Sequence, residues 1–430
     1  MLGAAAAQQR ASATHLRPSA RARCGPPRRP PRCSAPRGIN PPGISTMAQR
    51  QQQPLQQQQQ QEPGQQEPAA APPLPQQPFC LARNGRPCAC AQPSGAWLQA
   101  APRGAYTTAR TVGGGARVLK LSSHVERLAT SANLMVQSDE QLVTSAGHEP
   151  APPFTAQQLR PRVMDCLAAV IAAFQSGACS GGAAPAAGAA DAAATDAAAA
   201  AAGGNGAARR AAAESAAGRE LKLTLLMTWQ DPASGEFDLW CHGEALPRRP
   251  APPVKLQIRG LPRTNARAKD SEWVRQRRAL EEARPADCNE VVLCSPEGAL
   301  MEGLSSNFFV LQRGELVTAD EGVLSGTIRE IVLAVCRDLG LPVRLEPPQL
   351  SQIAEWDGAL ISSTSRLLLP ADEVRWAPPG HGGPGGTERV RAFDRGHPIV
   401  AELEAAVMAR ILLESEPVPL PPPQAAPRAG

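Results

Sequence analysis

Ala299-Leu-Met-Glu-Gly-Leu-Ser-Ser-Asn-Phe-Phe-Val310, followed by Leu324-Ser-Gly-Thr-Ile-Arg329, is the stretch on which the reading of this chain turns. It sets one acidic residue, Glu302, in a small-residue turn between two strand-like runs, and opens an amphipathic helix about one hairpin later. Glu290-Val-Val-Leu-Cys294 reads as a buried strand and Ser295-Pro-Glu-Gly298 as a turn. Residues 307–311 and 315–318 read as two more strands around the tight turn Arg313-Gly314. From Thr327 the apolar positions Ile328, Ile331, Val332, Val335, Cys336 and Leu339 recur at helical spacing, and Gly340 sits where a C-cap glycine belongs. Gly326 and Thr327 then lie at a helix N-terminus, whose free N–H groups and macrodipole favour an anion. Taken alone, the pair is equally a plain N-cap. A carboxylate held at a fixed distance from that terminus suits a ligand with a basic ring nitrogen at one end and a phosphate at the other.

Together these runs resemble the class IV (fold type IV) pyridoxal-phosphate family, which includes branched-chain and D-amino-acid aminotransferases and aminodeoxychorismate lyase. The family's E-G-x-x-S/E-N-x-F run reads here Glu302-Gly-Leu-Ser-Ser-Asn-Phe-Phe309. Its L-x-G-I-T-R run reads Leu324-Ser-Gly-Thr-Ile-Arg329, and its G/S-T run reads Ser363-Thr364, with Pro370 six residues on. Upstream, Gly104-Ala-Tyr-Thr-Thr-Ala-Arg110 resembles the N-terminal strand, and Leu119-Lys-Leu-Ser-Ser-His-Val-Glu-Arg-Leu128 the F-R-x-x-x-H-x-x-R-L element. The resemblance covers roughly residues 95 to 410, with insertions.

The resemblance implies an α+β, two-domain fold: a small α/β N-terminal domain and a larger β-core domain with surrounding helices, paired as a homodimer, with pyridoxal 5'-phosphate in the cleft. It implies a lysine a few tens of residues before the E-G run. Ala268-Lys269-Asp-Ser-Glu-Trp-Val274 fits, 33 residues before Glu302, so Lys269 is assigned the Schiff base and the proton transfers. Glu302 is assigned to the pyridine nitrogen. Thr327, Ile328 and Thr364 are assigned to the phosphate. Lys120 stands where the resemblance places a phosphate arginine; it keeps the charge but loses the paired-donor fork. Tyr106, the single tyrosine, is assigned to the substrate side, and Arg366 to a substrate carboxylate or, alternatively, a structural role. Branched-chain enzymes carry a tyrosine where this chain has Val274, and their acidic run before the first motif is missing. The implied activity is amino-group transfer between an amino acid and a 2-oxo acid through a lysine aldimine. A pyruvate-releasing lyase of the aminodeoxychorismate type is the alternative, and a binding homologue without turnover the third reading.

Composition bounds the remainder. Aromatics make up 3% of the 430 residues, against 45 prolines and 37 glycines, so much of the chain lies outside any core. The first 61 residues hold nine arginines and no acid, with no apolar signal-peptide core. This predicts an organellar transit peptide, for chloroplast delivery in preference to mitochondrion, with cytoplasm following if Met47 is the start. A Gln/Pro-rich linker completes a leader over 1–94. The small domain is expected over 95–246, with an Ala/Gly-rich insertion at 175–218; the large domain follows over 247–416 and a disordered tail over 417–430. The eleven cysteines form no metal or disulfide framework; Cys88-Ala-Cys90 lacks a second pair. No run is long enough to span a bilayer, and the net charge of +5 comes mainly from the leader, so neither membrane nor nucleic acid is an expected partner.

Overall fold

The computed structural model describes residues 79–143, 154–176, 220–377 and 388–420. The expected transit peptide, most of the linker, the insertion beyond Ser176 and the last ten residues lie outside the described residues.

β1 (Cys80–Arg83) and β2 (Arg86–Cys88) form a hairpin on Asn84-Gly85, both at positive φ (49° and 79°). Asn-Gly is the turn pair whose twist matches antiparallel strands. Among the described residues, folded structure is therefore present from Cys80, ahead of the boundary near residue 95: Cys80 and Ala82 bury into the first core, and β1 pairs with β6 below. α1 (Ser94–Ala100), β3 (Ala105–Val112), β4 (Arg117–Leu119), α2 (Leu121–Val143) and α3 (Ala156–Gln175) come next. A capping box between Thr155 and Gln158 starts α3. β5 (Leu221–Thr228) and β6 (Asp238–Ala245) complete an antiparallel sheet in the order β4-β3-β5-β6-β1-β2.

Side chains alternate across this sheet. Ala105 and Ala109 on β3 and Leu223 and Leu225 on β5 face α2 and α3, packing with Leu128, Leu167 and Ile171. Tyr106 and Thr108 take the opposite face, registered with Leu226 and Thr224. That second face carries the site.

The other half contains β7 (Lys255–Ile258), the short helices α4 (Glu272–Gln276) and α5 (Arg278–Glu282), β8 (Glu290–Cys294), β9 (Leu300–Gly303), β10 (Asn307–Gln312) and β11 (Glu315–Val317). α6 (Thr327–Leu339), β12 (Val343–Arg344), β13 (Trp356–Ser363), β14 (Leu367–Ala371), β15 (Glu373–Trp376), β16 (Arg389–Ala392), α7 (Pro398–Arg410) and β17 (Ser415–Pro417) follow. Its sheet runs β12-β11-β10-β9-β8-β7-β15-β16, with β13 branching from β10 and carrying β14. Phe308 and Phe309 point to opposite sides of β10, into two separate cores. The second of these takes the apolar stripe of α6, where full burial of each aliphatic side chain contributes about 1.5–3 kcal/mol. Gly340 closes α6 in the left-handed region at φ 67°.

Two expectations are corrected. Glu302 stands on a strand, β9, directly opposite Asn307; the small-residue turn comes after it. The C-terminal segment does not leave the fold at 417: β17 returns to pair with β4, and Val418 is buried in the first core. The two halves are also joined through one core, since Val112 and Leu119 pack with α6 and α7 residues. Among the described residues no helix is long and apolar enough to cross a membrane, and no group of three or more His, Cys, Asp or Glu side chains is placed to hold a metal.

Candidate active site

Lys269 is positioned by backbone stitching along the start of β3. Its carbonyl accepts from the Tyr106 N–H at 2.9 Å, and its own N–H donates to Ser131 Oγ at 3.0 Å. Gly104 N–H donates to Ser271 Oγ at 3.0 Å, while Ser271 N–H donates to the Gly104 carbonyl at 2.9 Å. A side chain at Gly104 would meet the Met227 carbonyl oxygen at 2.1 Å, so this approach requires glycine. With its backbone held from both sides, Lys269 sends its amine to 4.7 Å from the centre of the Tyr106 ring. Among the described residues no carboxylate pairs with it.

Burial lowers the Lys269 pKa below the ordinary lysine value; Tyr106 opposes this, and Arg127, Arg263 and Arg277 reinforce it. Burial alone would raise the Tyr106 phenol, but Lys269, Arg277 and Arg263 outweigh it and bring it down. Desolvation among cations thus leaves an amine that sheds its proton more readily than a surface lysine.

Glu302 is buried, and both carboxylate oxygens are occupied. Oε1 accepts from Arg263 Nε at 2.7 Å and Oε2 from the Leu324 N–H at 3.0 Å. Arg263 is in turn held by the carbonyls of Ala268 and Ala266. One guanidinium therefore ties the carboxylate to the lysine segment.

The anion end forms where α6 begins. Asn307 Nδ2 donates to the Leu324 carbonyl at 2.7 Å. A Cβ at Gly326 would stand 1.9 Å from Asn307 Oδ1, so a side chain here would displace the Asn307 amide that holds the turn into the helix. Thr327 Oγ1 lies 3.4 Å from Thr364 Oγ1, which joins two motifs 37 residues apart. The free N–H groups of this helix start carry about half a positive charge. Arg127 adds a full one, anchored on the Ser325 carbonyl at 2.5 Å. Burial depresses its pKa to about 10, against the raising influence of Glu330 and Tyr106.

One cavity of about 240 Å³ is lined by Tyr106, Arg127, Arg263, Lys269, Arg277, Glu302, Gly326, Thr327, Ile328 and Thr364, among others. Six of the eight residues named from the sequence share it: Tyr106, Lys269, Glu302, Thr327, Ile328 and Thr364.

The other two do not line it. Lys120 Nζ is spent on Glu330 at 3.2 Å and Glu414 at 3.7 Å. Lys120 stands just before α2 at positive φ (51°), and it is Arg127, in the second turn of that helix, that reaches the anion end. The signal for Arg127 was present in the same His124-Val-Glu-Arg127 motif. His124 supports this wall from beneath, buried, bonded to Thr107 Oγ1 at 2.7 Å and driven well below the ordinary imidazole value by burial. Arg366 is locked to buried Glu290 at 2.5 Å and to the Asn289 carbonyl and Ser305 Oγ. Burial would raise Glu290, yet Arg366 and the hydroxyls of Ser305 and Ser306 hold it below its ordinary value. Arg366 is therefore held by protein partners and does not line the cavity. Arg263 and Arg277, by contrast, lie in no recognisable motif and emerge only in the fold.

The donor set suits the ligand class expected from the sequence: a buried carboxylate, an amine with no carboxylate partner among the described residues and a cationic helix start open into the same space. Residues 192–374 match the family model for amino-transferase class IV. A probable branched-chain-amino-acid aminotransferase of Thermotoga maritima is 33% identical over 86 residues, which is 20% of this chain and 32% of the relative. A second probable branched-chain-amino-acid aminotransferase, of Synechocystis, is 26% identical over 98 residues, 22% of this chain and 32% of the relative. The match thus spans about a third of the length of these curated relatives. Among solved structures, the branched-chain aminotransferase of Thermoproteus uzoniensis with norvaline covers 80% of this chain and 100% of its own, at TM-score 0.51 and 18% identity. A hypothetical aminotransferase from Mycobacterium tuberculosis in its PLP-bound form covers 78% and 99%, at TM-score 0.50 and 16% identity. These structures share the α+β two-domain fold with this chain.

Proposed function

We propose, from a chain that carries the class IV aminotransferase domain, that this protein moves an amino group between an amino acid and a 2-oxo acid with pyridoxal 5'-phosphate as cofactor. The observation that carries this reading is the Lys269 amine, with no acid partner among the described residues and a lowered pKa, in a cavity shared with Glu302 and the anion-favouring start of α6. Bound pyridoxal phosphate would supply an aldehyde that condenses with amines and a ring that accepts electrons. Arg127, Thr327, Ile328 and Thr364 would hold its phosphate. Glu302, oriented by Arg263 and the Leu324 N–H, would face the ring nitrogen.

Lys269 then does two tasks. Its neutral amine is the nucleophile toward a carbonyl carbon, and when released it takes a proton at Nζ and returns it. Burial favours the neutral form needed for both. Tyr106 closes one side of the amine and excludes water from it. Val274, buried beside Leu98 and Tyr106, makes that wall apolar where a second phenol would otherwise stand.

Purified protein loaded with the cofactor and screened against paired amino acids and 2-oxo acids tests the reading. Amino-group exchange, with release of one equivalent of 2-oxo acid when no acceptor is present, is the expected result. Pyruvate release without exchange would replace it by the lyase reading, and cofactor capture without turnover by the inactive one. The proposal extends to pairing as a homodimer, checked by light scattering, and to plastid delivery by the arginine-rich leader, checked by an import assay with and without residues 1–78.

A further inference from the structure

Charge bookkeeping in the cavity leaves one cation without a task. Five cationic side chains line it: Arg127, Lys222, Arg263, Lys269 and Arg277. Lys222 is paired with Glu244 at 2.8 Å and bonded to Ser94 Oγ. Arg263 is saturated by Glu302 and two carbonyls. Arg127 belongs to the helix start, and Lys269 is the amine. Arg277 remains.

Arg277 is held without being used up. Its Nη1 donates to the Leu304 carbonyl at 2.9 Å, a group that also accepts from Trp273 Nε1 at 2.9 Å. Its Nε stands 2.9 Å from Glu281 Oε1, but that carboxylate is 39% exposed and solvent-screened, whereas the Arg277 side chain is 15% exposed. Among the described residues its Nη2 donates to no acceptor, and the guanidinium lines the cavity. It lies close enough to Tyr106 and Lys269 to influence the charge on both. A largely buried, oriented guanidinium with an open donor edge on a cavity is a carboxylate receptor.

We propose that Arg277 binds the substrate carboxylate, so that the cavity takes two anions: a phosphate at the α6 end and a carboxylate at the Arg277 end, with the Lys269 amine serving both. This rests on the amino-transfer reading and deepens it by naming the group that selects substrates. Two sources fit the chemistry, the α-carboxylate of every amino acid and 2-oxo acid, or a second carboxylate on an acidic one.

The test uses unreactive probes on the cofactor-treated full chain, read by calorimetry: 4-methylpentanoate, its amide 4-methylpentanamide, and glutarate. R277Q is expected to weaken 4-methylpentanoate about 10- to 100-fold, the range for losing hydrogen bonds to a charged group, with the amide and cofactor capture unchanged. Loss confined to glutarate assigns Arg277 to the distal carboxylate. Equal affinities in wild type and R277Q for both acids, or loss of cofactor capture in R277Q, overturn the proposal. Should R277Q not fold, R277K keeps the charge without the fork, and unchanged acid affinity there overturns it as well. If wild type captures no cofactor, the amino-transfer reading falls, while the carboxylate titrations still judge Arg277 on their own.

Discussion

The two ends of the cavity are built in different ways. The α6 end is made largely of backbone: a helix start, a glycine packed against Asn307 and a threonine pair, all within short recognisable runs. The Arg277 end is made of a long side chain at the junction of the short helices α4 and α5, arranged by a carbonyl and by a carboxylate one turn on. Backbone sites are legible because few residue types permit them. Side-chain sites are not, because any of many arginines could fill the role and only packing selects one.

Substitutions at each end and between them can break this contrast. The largest effect is predicted for K269A, where removing the nucleophile and the proton carrier should cut amino-group exchange by at least about 10⁴-fold, with the folded state kept on circular dichroism. Next comes R127Q, predicted to weaken cofactor capture about 10- to 100-fold, as for loss of a charged hydrogen-bonding partner. The parallel K120Q should change capture less than about threefold and stability by at most about 1 kcal/mol, since only partly exposed ion pairs are lost. Equal losses in R127Q and K120Q would return the phosphate role to Lys120. G326A is predicted to cost about 1–3 kcal/mol in urea melts, because its Cβ would collide with Asn307 Oδ1. Stability unchanged in G326A would mean that the backbone end is softer than described.

The smallest effect concerns pH. The Lys269 amine has a folded pKa below its ordinary 10.5, so between the lowered value and 10.5 the unfolded chain binds more protons. Stability contributed at this site therefore rises with pH through that window, and the penalty is fully present below it. K269M should flatten the corresponding slope in denaturation measured from pH 8 to 10.5.

Much of the fold was readable from local chemistry. The 3.6-residue spacing from Ile328 to Cys336 gave α6 and its buried face, and Gly340 gave its end. The β1–β2 hairpin was equally signalled by Asn84-Gly85, but its strands are only four and three residues long and adjoin a Gln/Pro tract. Glu302 was read into a turn because the small residues Gly303, Ser305 and Ser306 dominate local propensity. Pairing with β10 and the buried Arg263 ion pair overrides that preference. The place of Lys120 has a similar origin: position in the motif alone cannot say which cation is captured by Glu330 and Glu414 and which is left to point at the anion end.

What the residues determined unaided was a glycine before a helix and a carboxylate among small residues between apolar runs, whereas Lys269 was singled out by the resemblance. The glycine and the carboxylate are local constraints, imposed by sterics or by the period of a helix or strand. Only the tertiary structure decided which charges cancel. Arg366 was consumed by Glu290 and Lys120 by two glutamates, while Arg127 and Arg277 stayed available. Coulomb energy depends on distances through space and on burial, and neither is written in the order of residues along a chain.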